Sequence, residues 1–147
     1  GVAEFIKLSP FTKQVVEEGM RLYPPAYFMD RVNLEDDEYD GIFIKKGSNL
    51  LFSMYEIHRH EKYWKDPCKF DPDRFSEENA KEHSSHYFPF GAGPRMCIGN
   101  NFAMYEMIIT IAELVKNFRI HPVLDEIKIK PLITLKPKDA ILRFEER

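Results

Sequence analysis

The chain has few of the features that define the simplest classes of protein. Its two cysteines, Cys68 and Cys97, offer no disulfide framework and are typical of a reducing compartment. No apolar run is long enough to span a bilayer, and no signal-peptide pattern stands at the start. The net charge of −3 argues against general nucleic-acid binding. We therefore expect a cytoplasmic protein without nucleic-acid partners, unless a membrane anchor precedes Gly1.

The composition is that of a globular protein. Apolar residues make up 44 % of the 147-residue chain and charged residues 31 %. This length suffices for one domain with a core. The functional signals must therefore come from short segments rather than from composition.

Three glycines and two prolines surround Cys97, immediately before the longest helical pattern in the chain. Glycine lets the backbone turn tightly and approach a ligand, whereas proline stiffens the same loop. Backbone N–H groups and the helix dipole stabilise a thiolate at the start of a helix. The pattern indicates a loop that holds one sulfur in one direction, and the alternative is a structural cysteine buried in a turn. The segment reads Phe88-Pro89-Phe90-Gly91-Ala92-Gly93-Pro94-Arg95-Met96-Cys97-Ile98-Gly99.

This loop resembles the cysteine-ligand loop of the cytochrome P450 family, the haem-thiolate monooxygenases. The resemblance rests on five positions, Phe90-x-x-Gly93-x-Arg95-x-Cys97-x-Gly99. It implies that Cys97 is the catalytic thiolate and the proximal ligand of the iron of haem b. The other residues that it assigns to the haem or its sulfur are Pro89, Phe90, Gly91, Arg95, Ile98, Gly99 and Ala103.

Two further segments resemble the same family. Glu18 and Arg21 lie three residues apart, hence on one helix face, and are followed by two prolines. By themselves they fit an ordinary surface ion pair. The resemblance implies instead a buried structural triad, completed by Arg74, that braces the proximal side of the haem. Arg74 belongs to Phe70-Asp71-Pro72-Asp73-Arg74-Phe75.

A third set of candidates follows the paired prolines. In the family, an arginine at this place binds a haem propionate. Arg31 occupies it, and Arg95 would bind the second propionate, because arginine stays charged and bonds carboxylates strongly. The alternative for Arg31 is a surface position on a strand. The resemblance also implies possible substrate contacts from Ala26, Tyr27, Phe28, Met29 and Ile133.

The local patterns predict a mainly α chain with small antiparallel β-sheets, the C-terminal part of the P450 fold in a single partial domain over residues 1–147. Proline positions and apolar spacing predict helices over residues 10–22 and 100–118, and a short one within 55–64. The acidic segment 35–41 and the polar segment 76–86 are expected to be exposed loops, the latter with a possible helical turn. Predicted strands cover residues 28–32, 42–44, 49–54, 126–130 and 140–144.

The resemblance implies insertion of one oxygen atom from O₂ into a small organic, apolar substrate, with electrons from a ferredoxin or a flavoprotein reductase. It covers only the haem-proximal part, because no segment resembles the helix that carries the acid–threonine pair beside the O₂ site. We therefore expect the chain alone to be inactive, and to self-associate through apolar surface that the missing half would cover. The alternatives are a haem-thiolate isomerase or peroxygenase, and a non-catalytic module that binds haem weakly or not at all and associates with itself or a partner chain.

Overall fold

The fold, taken from a computed structural model, is described for residues 1–83 and 85–147. Its helices are short except for two, α2 and α5, which carry the core. In chain order the helices are α1 (Val2–Lys7), α2 (Pro10–Leu22), α3 (Met54–Ile57), α4 (Ala80–His83) and α5 (Asn100–Asn117), with 3₁₀ turns at Pro72–Phe75 and Gly93–Arg95. None of these described helices is both long and apolar enough to cross a membrane.

The strands form separate antiparallel pairs. They are β1 (Phe28–Val32), β2 (Asp37–Tyr39), β3 (Ile42–Ile44), β4 (Asn49–Ser53), β5 (Phe118–Pro122), β6 (Ile129–Pro131), β7 (Leu135–Pro137) and β8 (Leu142–Glu146). β1 pairs with β4 around the β2–β3 hairpin, and β5 pairs with β8 around the β6–β7 hairpin. The predicted class, helices with small antiparallel sheets, is confirmed.

Proline accounts for both ends of α2. Pro10 is the first helical residue, where its missing N–H has no intrahelical acceptor to lose. The helix ends at Leu22 because Pro24, two residues further on, cannot continue it. The predicted bounds of this helix are confirmed.

The acidic segment is not simply a loop, as the sequence analysis expected. Asp37–Tyr39 forms a strand that pairs with Ile42–Ile44. Asp40 and Gly41 make the turn with positive φ values of 51° and 76°. Asp-Gly is a strong signal for this kind of two-residue hairpin, because both residues tolerate that backbone conformation.

The C-terminal region departs from the prediction in its strands. The last strand runs over Leu142–Glu146 rather than 140–144, and its partner, Phe118–Pro122, was not predicted. The alternation at 126–130 contributes only to β6, whose partner β7 lies outside the predicted strands. These pairings depend on distant contacts rather than on the local pattern.

Two further segments differ in length and burial. The helix expected within 55–64 is reduced to the four residues of α3, which starts one residue earlier, at Met54. In the polar segment, α4 is the expected helical turn, but its His83 is buried rather than exposed, and residue 84 lies outside the described residues.

The main core lies between α2 and α5. Val16 and Met20 from α2 meet Ile108 from α5, and all three are buried. Phe90 of the cysteine loop packs against this cluster. The loop is therefore anchored to the two longest helices.

Part of α5 remains exposed. Phe102 is 73 % exposed and Val115 is 41 % exposed, although both are large and apolar. The structure buries α5 mainly towards α2. Exposed apolar area of this extent is typical of a surface that contacts other protein.

We predict that Ile108→Ala lowers the free energy of unfolding by about 2–5 kcal/mol, because it leaves a cavity between α2 and α5. Val115→Ala, at an exposed position of the same helix, should change it by no more than about 0.5 kcal/mol. Urea unfolding followed by circular dichroism measures both. Equal losses for the two variants would show that this core is placed wrongly.

Candidate functional site

The most completely buried polar group of the site is an ion pair on α2. Glu18 and Arg21 have no exposed surface within the described structure. Arg21 Nε donates to Glu18 Oε2 at 2.7 Å, and Arg21 Nη2 donates to Glu18 Oε1 at 2.8 Å. This bidentate geometry is the strongest arrangement of an arginine and a carboxylate. The surface ion pair that fitted the residues alone is therefore wrong.

The same ion pair holds the irregular segment between α3 and the first 3₁₀ turn. Arg21 Nη1 donates to the carbonyls of His58 and Pro67 at 2.6 and 2.8 Å, and Nη2 donates to that of Lys69 at 3.2 Å. The backbone N–H of Asp71 donates to Glu18 Oε1 at 2.9 Å. A segment with little regular structure is thus fixed to α2 by side-chain bonds.

Arg74 completes the group at a longer distance. Its Nε lies 3.5 Å from Glu18 Oε1, and its Nη2 donates to the carbonyl of Asp66 at 3.0 Å. The three residues that the sequence placed in a triad therefore lie together. Arg21 makes the close bonds, and Arg74 stands at ion-pair distance.

The cysteine loop is shaped by two glycines. Gly91 and Gly93 have φ values of +75° and +72°, where other residues are strained. A Cβ on Gly91 would also lie 3.0 Å from the sulfur of Met29. The backbone N–H of Cys97 donates to the carbonyl of Phe90 at 2.9 Å, which folds the loop back on itself. The Cys97 side chain is exposed.

Cys97 faces a cleft of about 550 Å³ between the loop, α5 and the start of β1. The cleft is mainly apolar, and the charged residues in its described lining are Arg31 and Arg95, from two separate elements, and Asp30. A thiol, apolar walls and two cations fit a flat apolar group that carries a soft metal and carboxylates. The other candidate residues in its lining are Ala26, Phe28, Met29, Pro89, Phe90, Gly91 and Ala103.

Four of the candidate site residues do not line this cleft. Tyr27 points to the C-terminal hairpin, where its hydroxyl donates to the carbonyl of Leu132 at 2.8 Å. Ile133 is 91 % exposed, and neither it nor Tyr27 belongs to the described lining of the cleft. Ile98 is fully exposed, whereas Gly99 lies beside the sulfur, since a Cβ there would be 3.9 Å from Cys97 Sγ.

A larger cavity, of about 720 Å³, borders the cleft and shares Met29 and Arg31 with it. It lies against β1, β4 and α3. Its described lining is mainly apolar, with Glu56 and His60 among its polar residues, and does not include Cys97 or Arg95. The chemistry of the side chains therefore points to the smaller cleft.

His58 is a buried residue whose contacts the sequence did not reveal. Its Nε2 accepts a hydrogen bond from the backbone N–H of Phe88 at 2.9 Å, so the proton of the neutral ring is on Nδ1. Burial, with the nearby charges of Arg21 and Arg59, lowers the pKa of His58 from 6.5 to about 4. The residue was interpreted as structural, and a histidine beside an arginine carries no signal for such a bond.

Known proteins resemble this chain over nearly its whole length. The family model for cytochrome P450 matches residues 4–144. Cytochrome P450 3A25 of Mus musculus is 38 % identical over 93 % of this chain and 28 % of its own length. Probable cytochrome P450 518B1 of Dictyostelium discoideum is 40 % identical over 95 % of this chain and 29 % of its own length.

Solved structures show the same likeness to cytochrome P450. A cytochrome P450 named CYP102L1 has a TM-score of 0.89 at 33 % identity, over 98 % of this chain and 33 % of that one. The heme domain of cytochrome P450DA has a TM-score of 0.86 at 32 % identity, over 92 % and 30 %. The fold is that of cytochrome P450 heme domains, and this chain belongs to the cytochrome P450 family. It spans about a quarter to a third of the length of the curated relatives that it matches.

We predict that Glu18→Gln destabilises the protein by about 3–5 kcal/mol, because it leaves the buried charge of Arg21 without its counterion. Glu17→Gln is the matched control on the same helix. Glu17 pairs with the partly exposed Lys13, so its change should cost no more than about 1 kcal/mol. Chemical unfolding of both variants tests this, and similar losses would contradict a special role of the buried pair.

We also predict that stability falls as the pH drops from about 6.5 to about 4. In this window the unfolded chain binds a proton that folded His58 does not, and the difference is worth about 1.4 kcal/mol per pKa unit. His58→Gln keeps a hydrogen-bond acceptor but cannot be protonated, so its unfolding free energy should depend less on pH. His83, whose pKa burial also lowers, should supply the remaining slope. Parallel pH curves for the two proteins would disprove the assignment to His58.

Proposed function

We propose that this chain forms the haem-proximal side of a monooxygenase that inserts one oxygen atom from O₂ into an organic substrate. The observation that carries the proposal is the cleft in which Cys97, Arg31 and Arg95 meet around apolar walls. Haem b, when bound there, would supply the oxygen chemistry.

The chain's own residues would hold and orient that group. Cys97, as a thiolate, would bind the iron, and its bond from N–H to the Phe90 carbonyl fixes its backbone. Arg31 and Arg95 would bind the two propionates as charged partners. Ala103 is small enough to leave the cleft open where α5 borders it.

The Glu18–Arg21–Arg74 group would keep this arrangement stiff. It fixes residues 58–71 to α2, and α2 forms the core with α5 and Phe90. None of its three side chains lines the described cleft, so its role would be structural rather than catalytic.

The substrate would be small and apolar, since Ala26, Phe28 and Met29 border the cleft near Arg31. Electrons would come from a separate protein, a ferredoxin or a flavoprotein reductase. The other residues that complete the oxygen site would come from protein outside this chain, in line with the share of the relatives' length that it covers.

A second candidate is an association module that takes up little or no haem. It is favoured by large apolar side chains that stand open to solvent, such as Ile98, Phe102 and Ile133. Its occupant would be another copy of the chain or a partner that covers this surface. The haem titration described next separates it from the first candidate.

We predict that the protein, mixed with haem, reduced and exposed to carbon monoxide, gives the red-shifted absorption band of a thiolate–CO complex. Cys97→Ser should abolish this band, because serine does not supply the thiolate. Cys68→Ser is the matched control, since Cys68 is exposed but lies outside the described lining of the cleft. Its band should equal that of the wild type.

Two results would count against the first candidate. One is a thiolate–CO band that survives in Cys97→Ser and disappears in Cys68→Ser. The other is no haem uptake by the wild type, which together with a mass that rises with concentration in sedimentation would favour the association module.

A further inference from the structure

His58 connects the buried ion pair to the cysteine loop through two different groups. Its backbone carbonyl accepts from Arg21 Nη1 at 2.6 Å, and its ring Nε2 accepts from the N–H of Phe88 at 2.9 Å. The residue follows α3 directly and is completely buried. A single residue therefore connects the α2 ion pair to the start of the loop.

The hydrogen-bonded turns of the cysteine loop begin at Phe88. Its carbonyl accepts from the N–H of Gly91 at 3.1 Å, and the next turn carries Phe90, whose carbonyl accepts from the N–H of Cys97 at 2.9 Å. Fixing Phe88 therefore fixes the segment against which the cysteine backbone rests. Loss of the His58 acceptor would leave a partly buried N–H unpaired at the base of this arrangement.

The surroundings keep the ring in the form that accepts this bond. His58 packs 5.3 Å from the ring of Tyr87 and 6.4 Å from that of Trp64, measured between ring centroids. The charged groups nearest to it are Arg21 on α2 and Arg59 on the adjoining turn, and both oppose a second proton. Within residues 1–83 and 85–147 its Nδ1 has no hydrogen-bond partner, so the Phe88 bond is the polar contact that orients the ring.

We propose that His58 is a positioning residue for the thiolate ligand: its imidazole transmits the rigidity of the Glu18–Arg21 pair to the loop that presents Cys97. It acts through the backbone of Phe88 rather than on haem or substrate. The haem readout of this inference rests on the proposed function. The hydrogen-exchange readout rests on the hydrogen bonds alone.

The test compares three variants of the protein. His58→Phe keeps an aromatic ring but removes the acceptor, and His58→Gln restores an acceptor. Phe75→Leu disturbs the same aromatic cluster, since Phe75 lies 4.7 Å from Tyr87, without changing the Phe88 bond. The readouts are the melting temperature, the ratio of thiolate–CO to non-thiolate–CO bands, and hydrogen exchange at the amides of Phe88 and Cys97.

We expect His58→Phe to lower the band ratio about tenfold and to speed Phe88 exchange about tenfold. Both effects correspond to the loss of one buried hydrogen bond. His58→Gln should recover most of both. Phe75→Leu should keep the wild-type ratio, even with the same fall in melting temperature. An unchanged ratio and unchanged exchange in His58→Phe, or an equal loss in Phe75→Leu, would overturn the proposal.

Two other outcomes also decide the question. If the wild type takes up no haem, the proposed function fails, while slow Phe88 exchange that quickens in His58→Phe would still support the positioning role. If His58→Phe does not fold, the wild type and His58→Gln decide the question. Fast exchange of the Phe88 amide in the wild type would then contradict the proposal. So would a His58→Gln variant that does not behave like the wild type.

Discussion

The arrangement of this chain depends on one buried ion pair. Burying a carboxylate and a guanidinium costs several kcal/mol each, and only full hydrogen bonding offsets such a cost. Glu18 and Arg21 meet this requirement through each other and through carbonyl and N–H groups of residues 58–71. A segment with little regular structure therefore has one position against α2, and the pair has all of these hydrogen bonds only when that segment is in place.

The cysteine loop is held from two sides by different forces. Apolar packing of Phe90 against Val16, Met20 and Ile108 supplies one, and the bond from Phe88 N–H to His58 supplies the other. Packing is non-directional, whereas a hydrogen bond sets an angle. A loop that must aim one sulfur needs both kinds of restraint. The first comes from α2 and α5, and the second comes from the residue that follows α3.

The sequence predicted the motifs of the site more fully than it predicted the sheets. The residues around Cys97 and the Glu18–Arg21 spacing indicated the right family, and α2 and β1 had the predicted bounds. The Asp40-Gly41 hairpin carried a local signal that was interpreted as a loop. Tyr27 was given as a possible substrate contact, which stays a prediction, and its hydroxyl donates to the carbonyl of Leu132.

The sequence by itself determined what depends on neighbours along the chain: the proline-bounded helix, the glycine positions of the cysteine loop and the family to which these motifs belong. Only the tertiary structure decided that Phe118–Pro122 pairs with Leu142–Glu146, that Arg31 and Arg95 meet across one cleft, and that His58 bonds Phe88. The reason is physical. Backbone conformation follows local sterics, whereas long-range pairs form only after packing has brought distant segments within hydrogen-bond reach.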